Sequence, residues 1–136
     1  MKRVCCALLA LFMVTSLAAP VFADESETVA PRLATIATNT VTISIDNATG
    51  IASCDALCYA KADYTVKVVC KLQRWTGSTW TTLKTWTNTD NYIAYVSEKW
   101  AVYSGYTYRA YATFYVYDSD GTLLETVSNS NSQTYM

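Results

Sequence analysis

Apolar and polar residues alternate with a period of two along most of this chain, the signature of half-buried β-strands. In VTISI (41–45), Val41, Ile43 and Ile45 oppose Thr42 and Ser44, and DNATG then reads as a turn. IASCDALCYA (51–60) sets Ala52, Cys54, Ala56, Cys58 and Ala60 on one face. YTVKVVCKLQRW follows KAD, with Tyr64, Val66, Val68, Cys70 and Leu72 on one face and Lys67 and Lys71 on the other. TGST, with Gly77, supplies a hairpin connection to WTTLKTW (80–86). NTDN breaks the chain before another strand, YIAYVSEKW. The longest run is 106–117: Tyr106, Tyr108, Ala110, Ala112, Phe114 and Val116 alternate with Arg109, Tyr111, Thr113, Tyr115 and Tyr117. DSDG turns the chain into TLLETVS, and NSNSQTYM is a frayed end or a last edge strand.

About seven short strands at near-regular spacing, with no helical period, predict an all-β fold, an antiparallel β-sandwich of immunoglobulin or fibronectin type III kind. A two-residue loop at Gly77-Ser78 places Trp75 opposite Trp80 and Leu72 opposite Leu83. A bulge in that hairpin would exchange its faces.

The first 23 residues are expected to lie outside the fold. Lys2 and Arg3 precede an apolar run from Cys5 to Leu17, and Val21 and Ala23 end a small-residue cleavage pattern. That is a secretory signal cleaved after Ala23, and it predicts a secreted protein. The run is shorter than a membrane span needs, and Asp24, Glu25 and Glu27 follow it. Residues 24–40, polar and containing Pro31, read as a flexible lead-in to a single domain over 41–136. Cleavage takes two of the ten bases and none of the 11 acids, so the mature net charge is −3. With no basic block, neither nucleic acid nor membrane insertion is expected of the mature protein.

VYSGYTYRAYA (102–112) resembles the loop-to-strand corner of fibronectin type III and immunoglobulin-like domains. The resemblance implies Val102 as apolar anchor, Gly105 as turn, and Tyr108 as a tyrosine whose hydroxyl bonds back to the main chain upstream. Ala110 stands where antibody domains carry their second core cysteine, and the tryptophan of the type III second strand is missing. ATGIASC, VKVVCKLQRWTGSTWTTLKTW and GYTYRAYATFYVYDSDGTLLET are similar to small secreted proteins of Gram-positive bacteria, a family of unknown function. That likeness implies export and fold and brings no activity with it.

The chain has no histidine, which removes the commonest general base and zinc ligand. Cys54, Cys58 and Cys70 remain after cleavage, all on inward positions. A tight hairpin centred on Ala62 would set Cys54 opposite Cys70, and the two could also meet across a sandwich core. A Cys54–Cys70 disulfide, three buried free thiols and a Cys58–Cys70 bridge are the alternatives. A metal site would need a fourth soft ligand. Asp118-Ser119-Asp120-Gly121 begins like a calcium loop, but its twelfth position is Asn129 and not glutamate, so a turn is expected. Glu98 and Glu125 are strand-borne carboxylates that nothing local brings together. No catalysis, metal or cofactor is expected.

The aromatics give the clearer lead. Tyr111, Tyr115 and Tyr117 point outward on their strand; by alternation Trp80 and Trp86 share a face opposite Leu83, beside Lys71 and Lys84. Together they would form a Tyr/Trp platform suited to sugar rings or a protein partner. The expected function is a secreted, non-catalytic binding module for a glycan or surface polymer. The alternative is a structural or cell-surface accessory protein whose aromatics only pack, acting by display or self-association.

Overall fold

The computed structural model describes residues 34–136. The expected signal peptide and cleavage site, and the lead-in up to residue 33, fall outside the described residues. Seven strands follow in order: β1 Ile36–Asp46, β2 Ile51–Ala60, β3 Thr65–Trp75, β4 Trp80–Asn91, β5 Ile93–Ala101, β6 Tyr106–Tyr117 and β7 Leu123–Tyr135. They form two antiparallel sheets, ordered β1-β2-β5 and β4-β3-β6-β7. The expected sandwich is the observed architecture. Residues 36–40, expected in the lead-in, belong to β1 instead: Ile36 pairs with Ala60 and is buried.

Period-two alternation sorts the core as the sequence implies. Val66, Val68, Cys70 and Leu72 on β3 and Tyr108, Ala110, Ala112, Phe114 and Val116 on β6 are fully buried. The facing surface of β2 is all small: Ala52, Cys54, Ala56, Cys58 and Ala60. Large side chains from one sheet therefore meet small ones from the other, which lets the layers interdigitate at native density. Each buried Val, Leu or Phe contributes about 1.5–3 kcal/mol relative to exposure.

The fold also explains why no hairpin joins β2 to β3. β2 pairs with β1 and β5, so Cys54 lies between Ile43 and Glu98; β3 pairs with β4 and β6, so Cys70 lies between Trp86 and Ala112. Of the three alternatives for the cysteines, neither the Cys54–Cys70 nor the Cys58–Cys70 disulfide is formed: Cys54, Cys58 and Cys70 are free, fully buried thiols. Burial pushes the Cys54 thiol up to about 12, with a smaller push from neighbouring Cys70, and raises Cys58 and Cys70 to about 11. The thiols behave as small apolar core residues.

Chain reversals are tighter than the sequence suggests. β4 runs through the NTDN segment, where a break was expected, and the passage to the other sheet is left to Tyr92 alone. Tyr92 takes a left-handed φ of 68°, unusual for a residue with a side chain. Its amide donates to Tyr64 O and its carbonyl accepts from Ala60 N, both at 2.8 Å, so the turn is held on each side. At the β1–β2 turn the left-handed residue is Gly50, φ 69°; a Cβ there would sit 3.1 Å from the Val102 carbonyl oxygen. The Asp118 carboxylate accepts from the amides of Asp120 and Thr122, both at 2.9 Å, as a turn-forming aspartate does.

The polar tail is strand. NSNSQTY forms most of β7, which packs beside β1 of the other sheet. Asn131 Oδ1 accepts from the Ile43 amide at 3.2 Å and Gln133 Oε1 from the Ile45 amide at 3.0 Å. Glu125 accepts from the amides of Ala34, Thr35 and Ile36 and from the Thr35 hydroxyl. Glu125, Asn131 and Gln133 on one side of β7 thus serve the edge of β1 that no strand covers. An open edge is a template for unwanted pairing, and here side chains occupy it.

Candidate functional site

The outward positions of the four-stranded sheet form a regular array, because β3 and β6 pair without a break and β4 and β7 flank them. One row reads Thr89–Lys67–Tyr115–Thr126, the next Thr87–Val69–Thr113–Ser128. The third is Thr85–Lys71–Tyr111–Ser130 and the fourth Thr82–Gln73–Arg109–Ser132. The face is therefore four columns: threonine; Lys67 and Lys71 interspersed with Val69 and Gln73; Tyr115 and Tyr111 interspersed with Thr113 and Arg109; and serine/threonine. Tyr111, Tyr115 and Tyr117 are half-buried on it, as is Trp80.

A cation–aromatic lattice stiffens this surface. The Arg109 guanidinium stacks 4.3 Å from the Trp80 ring centroid and 4.9 Å from that of Tyr111. Its Nε donates to Gln73 Oε1 at 2.7 Å, and Gln73 Nε2 donates to Thr82 Oγ1 at 3.1 Å. Lys67 Nζ lies 5.7 Å from the Tyr115 ring centroid. Trp80 also meets Trp75 across the hairpin, centroids 5.2 Å apart. Cation–π contacts of this exposure contribute about 0.5–1 kcal/mol each and fix ring orientation.

The array carries charge of one sign. Lys67, Lys71 and Arg109 lie within it, no acid does, and no carboxylate among the described residues pairs with them. The outer face of the three-stranded sheet differs: Asp46 and Asp55 lie there with Lys99. Asp55 accepts from the Ser97 hydroxyl at 2.6 Å and from the Tyr95 hydroxyl at 3.1 Å.

Trp86 does not belong to the platform where alternation placed it. The β3–β4 register shifts between Leu72 and Gln73, so Leu72 opposes Lys84 and not Leu83, while Trp75 still opposes Trp80. The extra residue in β4 inverts every position beyond it. Trp86, opposite Cys70, turns inward and packs on the core. Lys84 leaves the platform with it and lies 4.9 Å from the Trp100 ring centroid. Trp86 lines an open cleft of about 560 Å³ between the β4 and β5 edges, together with Asn88, Tyr95 and Glu98. Glu98 is thus at one side of the sandwich and Glu125, bound to the start of β1, at the other.

The corner before β6 is built from the residues that the sequence singles out. Tyr108 is fully buried; its hydroxyl donates to Tyr103 O at 2.7 Å and accepts from Tyr103 N at 3.1 Å. Val102 is buried and its amide donates to Gly50 O at 2.8 Å. Gly105, φ 89°, donates its amide to Tyr135 O at 2.7 Å and so ties the corner to the end of β7. These contacts hold β6 in place, and with it the tyrosine column. Arg109 and Gln73 are the residues that pattern reading passed over; the signal was Arg109 alternating in phase with Tyr111.

Among the described residues, no group of three potential metal ligands clusters. In comparison with known proteins, the chain matches no family model and no curated sequence.

Proposed function

We propose that this protein is a secreted, non-catalytic binding module that engages a glycan or surface polymer through the outer face of β4, β3, β6 and β7. One observation carries the reading: Trp80, Tyr111, Tyr115 and Tyr117 share a solvent-facing surface that no described segment covers, and cations orient its rings. Flat rings with little rotational freedom to lose suit the apolar faces of sugars. The hydroxyl columns on either side supply donors and acceptors for sugar hydroxyls. The three-plus-four strand order and the Tyr108 corner support an immunoglobulin- or fibronectin-like pattern, which by itself carries no activity.

A glycan-array screen of the chain from Asp24 onward tests this, run beside Y111A/Y115A and W86A. Saturable binding lost in Y111A/Y115A and kept in W86A, both folded by circular dichroism, is the expected result. Loss in W86A alone would move the site to the β4–β5 cleft. A blank array from folded protein would reject glycan binding in favour of a structural role through display or self-association.

A further inference from the structure

The outer face holds more than rings, and its charges repeat with them. Lys67 stands opposite Tyr115 and Lys71 opposite Tyr111, so a lysine and a tyrosine face each other twice in the register, and a cation lies over each ring: Lys67 over Tyr115 and Arg109 over Tyr111. The two copies are four residues apart along both strands, about 13 Å at the usual strand rise. Between them lies the neutral pair Val69 and Thr113. A third cation, Arg109, closes the series one row beyond Lys71.

We infer that the ligand of this face is a linear anionic polysaccharide, whose sugar rings lie on the tyrosine column and whose carboxylate or sulfate groups meet the lysine column. This deepens the proposed function and rests on it. A neutral glycan needs the rings and hydroxyls alone and would leave three cations clustered without a counter-charge. The lysines are far enough apart for salt to screen their mutual repulsion, and a face carrying cations and no acid on a net-negative chain presents a positive potential that favours a negatively charged partner. Arg109 is already shaped for one. Its Nε is committed to Gln73 and its plane is clamped between Trp80 and Tyr111, while no hydrogen-bond partner among the described residues takes its terminal Nη groups. That is the planar edge that binds carboxylate or sulfate in two parallel hydrogen bonds, held rigid before the ligand arrives.

The repeat argues for a polymer. One acidic monosaccharide would use one Lys–Tyr pair and leave the second unexplained, whereas a chain lying along the strands meets both. Single-stranded nucleic acid also combines stacking with positive charge. It brings a phosphate at every nucleotide, however, and three cations on a chain of net charge −1 neutralise few of them, while the hydroxyl columns find matching groups on a sugar polymer. The acidic face of the other sheet would keep such a ligand on one side.

The test is calorimetric titration of the chain from Asp24 onward with length-matched probes: polygalacturonate, dextran sulfate, neutral dextran, poly-L-glutamate and oligo-dT. Binding of polygalacturonate or dextran sulfate is expected, weakening with added salt, and the two arms separate carboxylate from sulfate recognition. K67Q/K71Q should weaken that binding about tenfold and flatten its salt dependence. K99Q, on the opposite sheet, should change neither. K67Q/K71Q removes one cation–ring contact, so its unfolding midpoint should fall only slightly and the protein stay folded at the titration temperature; Y111F/Y115F, which keeps both rings, should retain binding. Neutral dextran binding as tightly as the acidic glycans would overturn this inference and leave the glycan module standing. Poly-L-glutamate or oligo-dT matching the acidic glycans would overturn it too, since charge alone would then suffice. No binding to any probe or to the glycan array would remove both readings.

Discussion

Replacing Tyr108 with phenylalanine removes one oxygen atom from the centre of the fold and leaves every ring contact in place. That oxygen takes part in two hydrogen bonds, donating to Tyr103 O at 2.7 Å and accepting from Tyr103 N at 3.1 Å. The loss therefore leaves two main-chain groups without their partner. A buried polar group deprived of its partner costs about 1–3 kcal/mol. Tyr103 is 78% exposed, so water can approach this loop and satisfy part of the deficit. We expect Y108F to destabilise the domain by about 2 kcal/mol, the single longer bond adding little. That is a large share of a typical 5–15 kcal/mol, and it lowers the urea midpoint by roughly 1 M and the melting temperature by roughly 8–16 °C. Urea titration followed by tryptophan fluorescence measures it, with Y103A as control. Because Tyr103 contributes its main chain and not its ring, Y103A should stay within about 0.5 kcal/mol of wild type. A Y108F protein as stable as wild type would refute the reasoning, since it would mean that the hydroxyl serves no group the solvent cannot serve equally.

Three further outcomes follow from the same geometry. Partial burial pushes the Glu125 carboxyl up, but the Thr35 hydroxyl and the Thr35, Ile36 and Ala34 amides outweigh it and hold its pKa below the ordinary value. A depressed folded pKa contributes stability that is present above the unfolded value near 4.3 and is lost as pH falls through the folded one. E125Q should therefore cost about 1 kcal/mol at pH 7 after allowance for solvent screening, and the gap to wild type should narrow below about pH 4 in urea melts. A gap that does not vary with pH would contradict the assignment. The three buried thiols should resist maleimide at pH 8 in the native protein and all react in denaturant; because their folded pKa values are raised, the stability they contribute is complete below about pH 8.5 and lost as pH rises through 11 to 12. Labelling of the native protein within minutes would show that the core opens far more readily than its packing implies. N131A/Q133A strips the acceptors from the Ile43 and Ile45 amides, and we expect a loss of about 1–2 kcal/mol with a concentration-dependent oligomer on size exclusion. A monomeric double variant of unchanged midpoint would mean that water caps the β1 edge as well as β7 does.

Period-two alternation is a local property, and what depends on it was legible in the chain. The inward faces of β2, β3 and β6 follow from alternation alone, because one side of each strand is uniformly apolar or small. The outward tyrosines of β6 follow for the same reason, and the Tyr108 corner from its position after Val102 and Gly105. Which strand lies beside which is not local. The chain between Ala60 and Thr65 is short enough for a hairpin, yet it crosses between sheets, because the small inner face of β2 fits against the large residues of β3 and β6 and not beside them. That choice separates Cys54 from Cys70 in the sheets and leaves both thiols in the core.

The single residue inserted at Leu83 divided Trp80 from Trp86. No pattern within β4 marks it; it arises where β4 adjusts its pairing to β3, and one residue of slip exchanges the two faces of a strand. The tail was hidden by the opposite cause. NSNSQTY has no run of apolar residues to signal a strand, since Asn131 and Gln133 on its inward side meet the hydrogen-bonding edge of β1 and only Tyr135 at its end packs on the core. Sequence determined which side of each apolar strand faces in, because burial acts on each residue separately. Only the tertiary structure decided partners, register and edge, because those are set by surfaces that do not exist until the sheets have met.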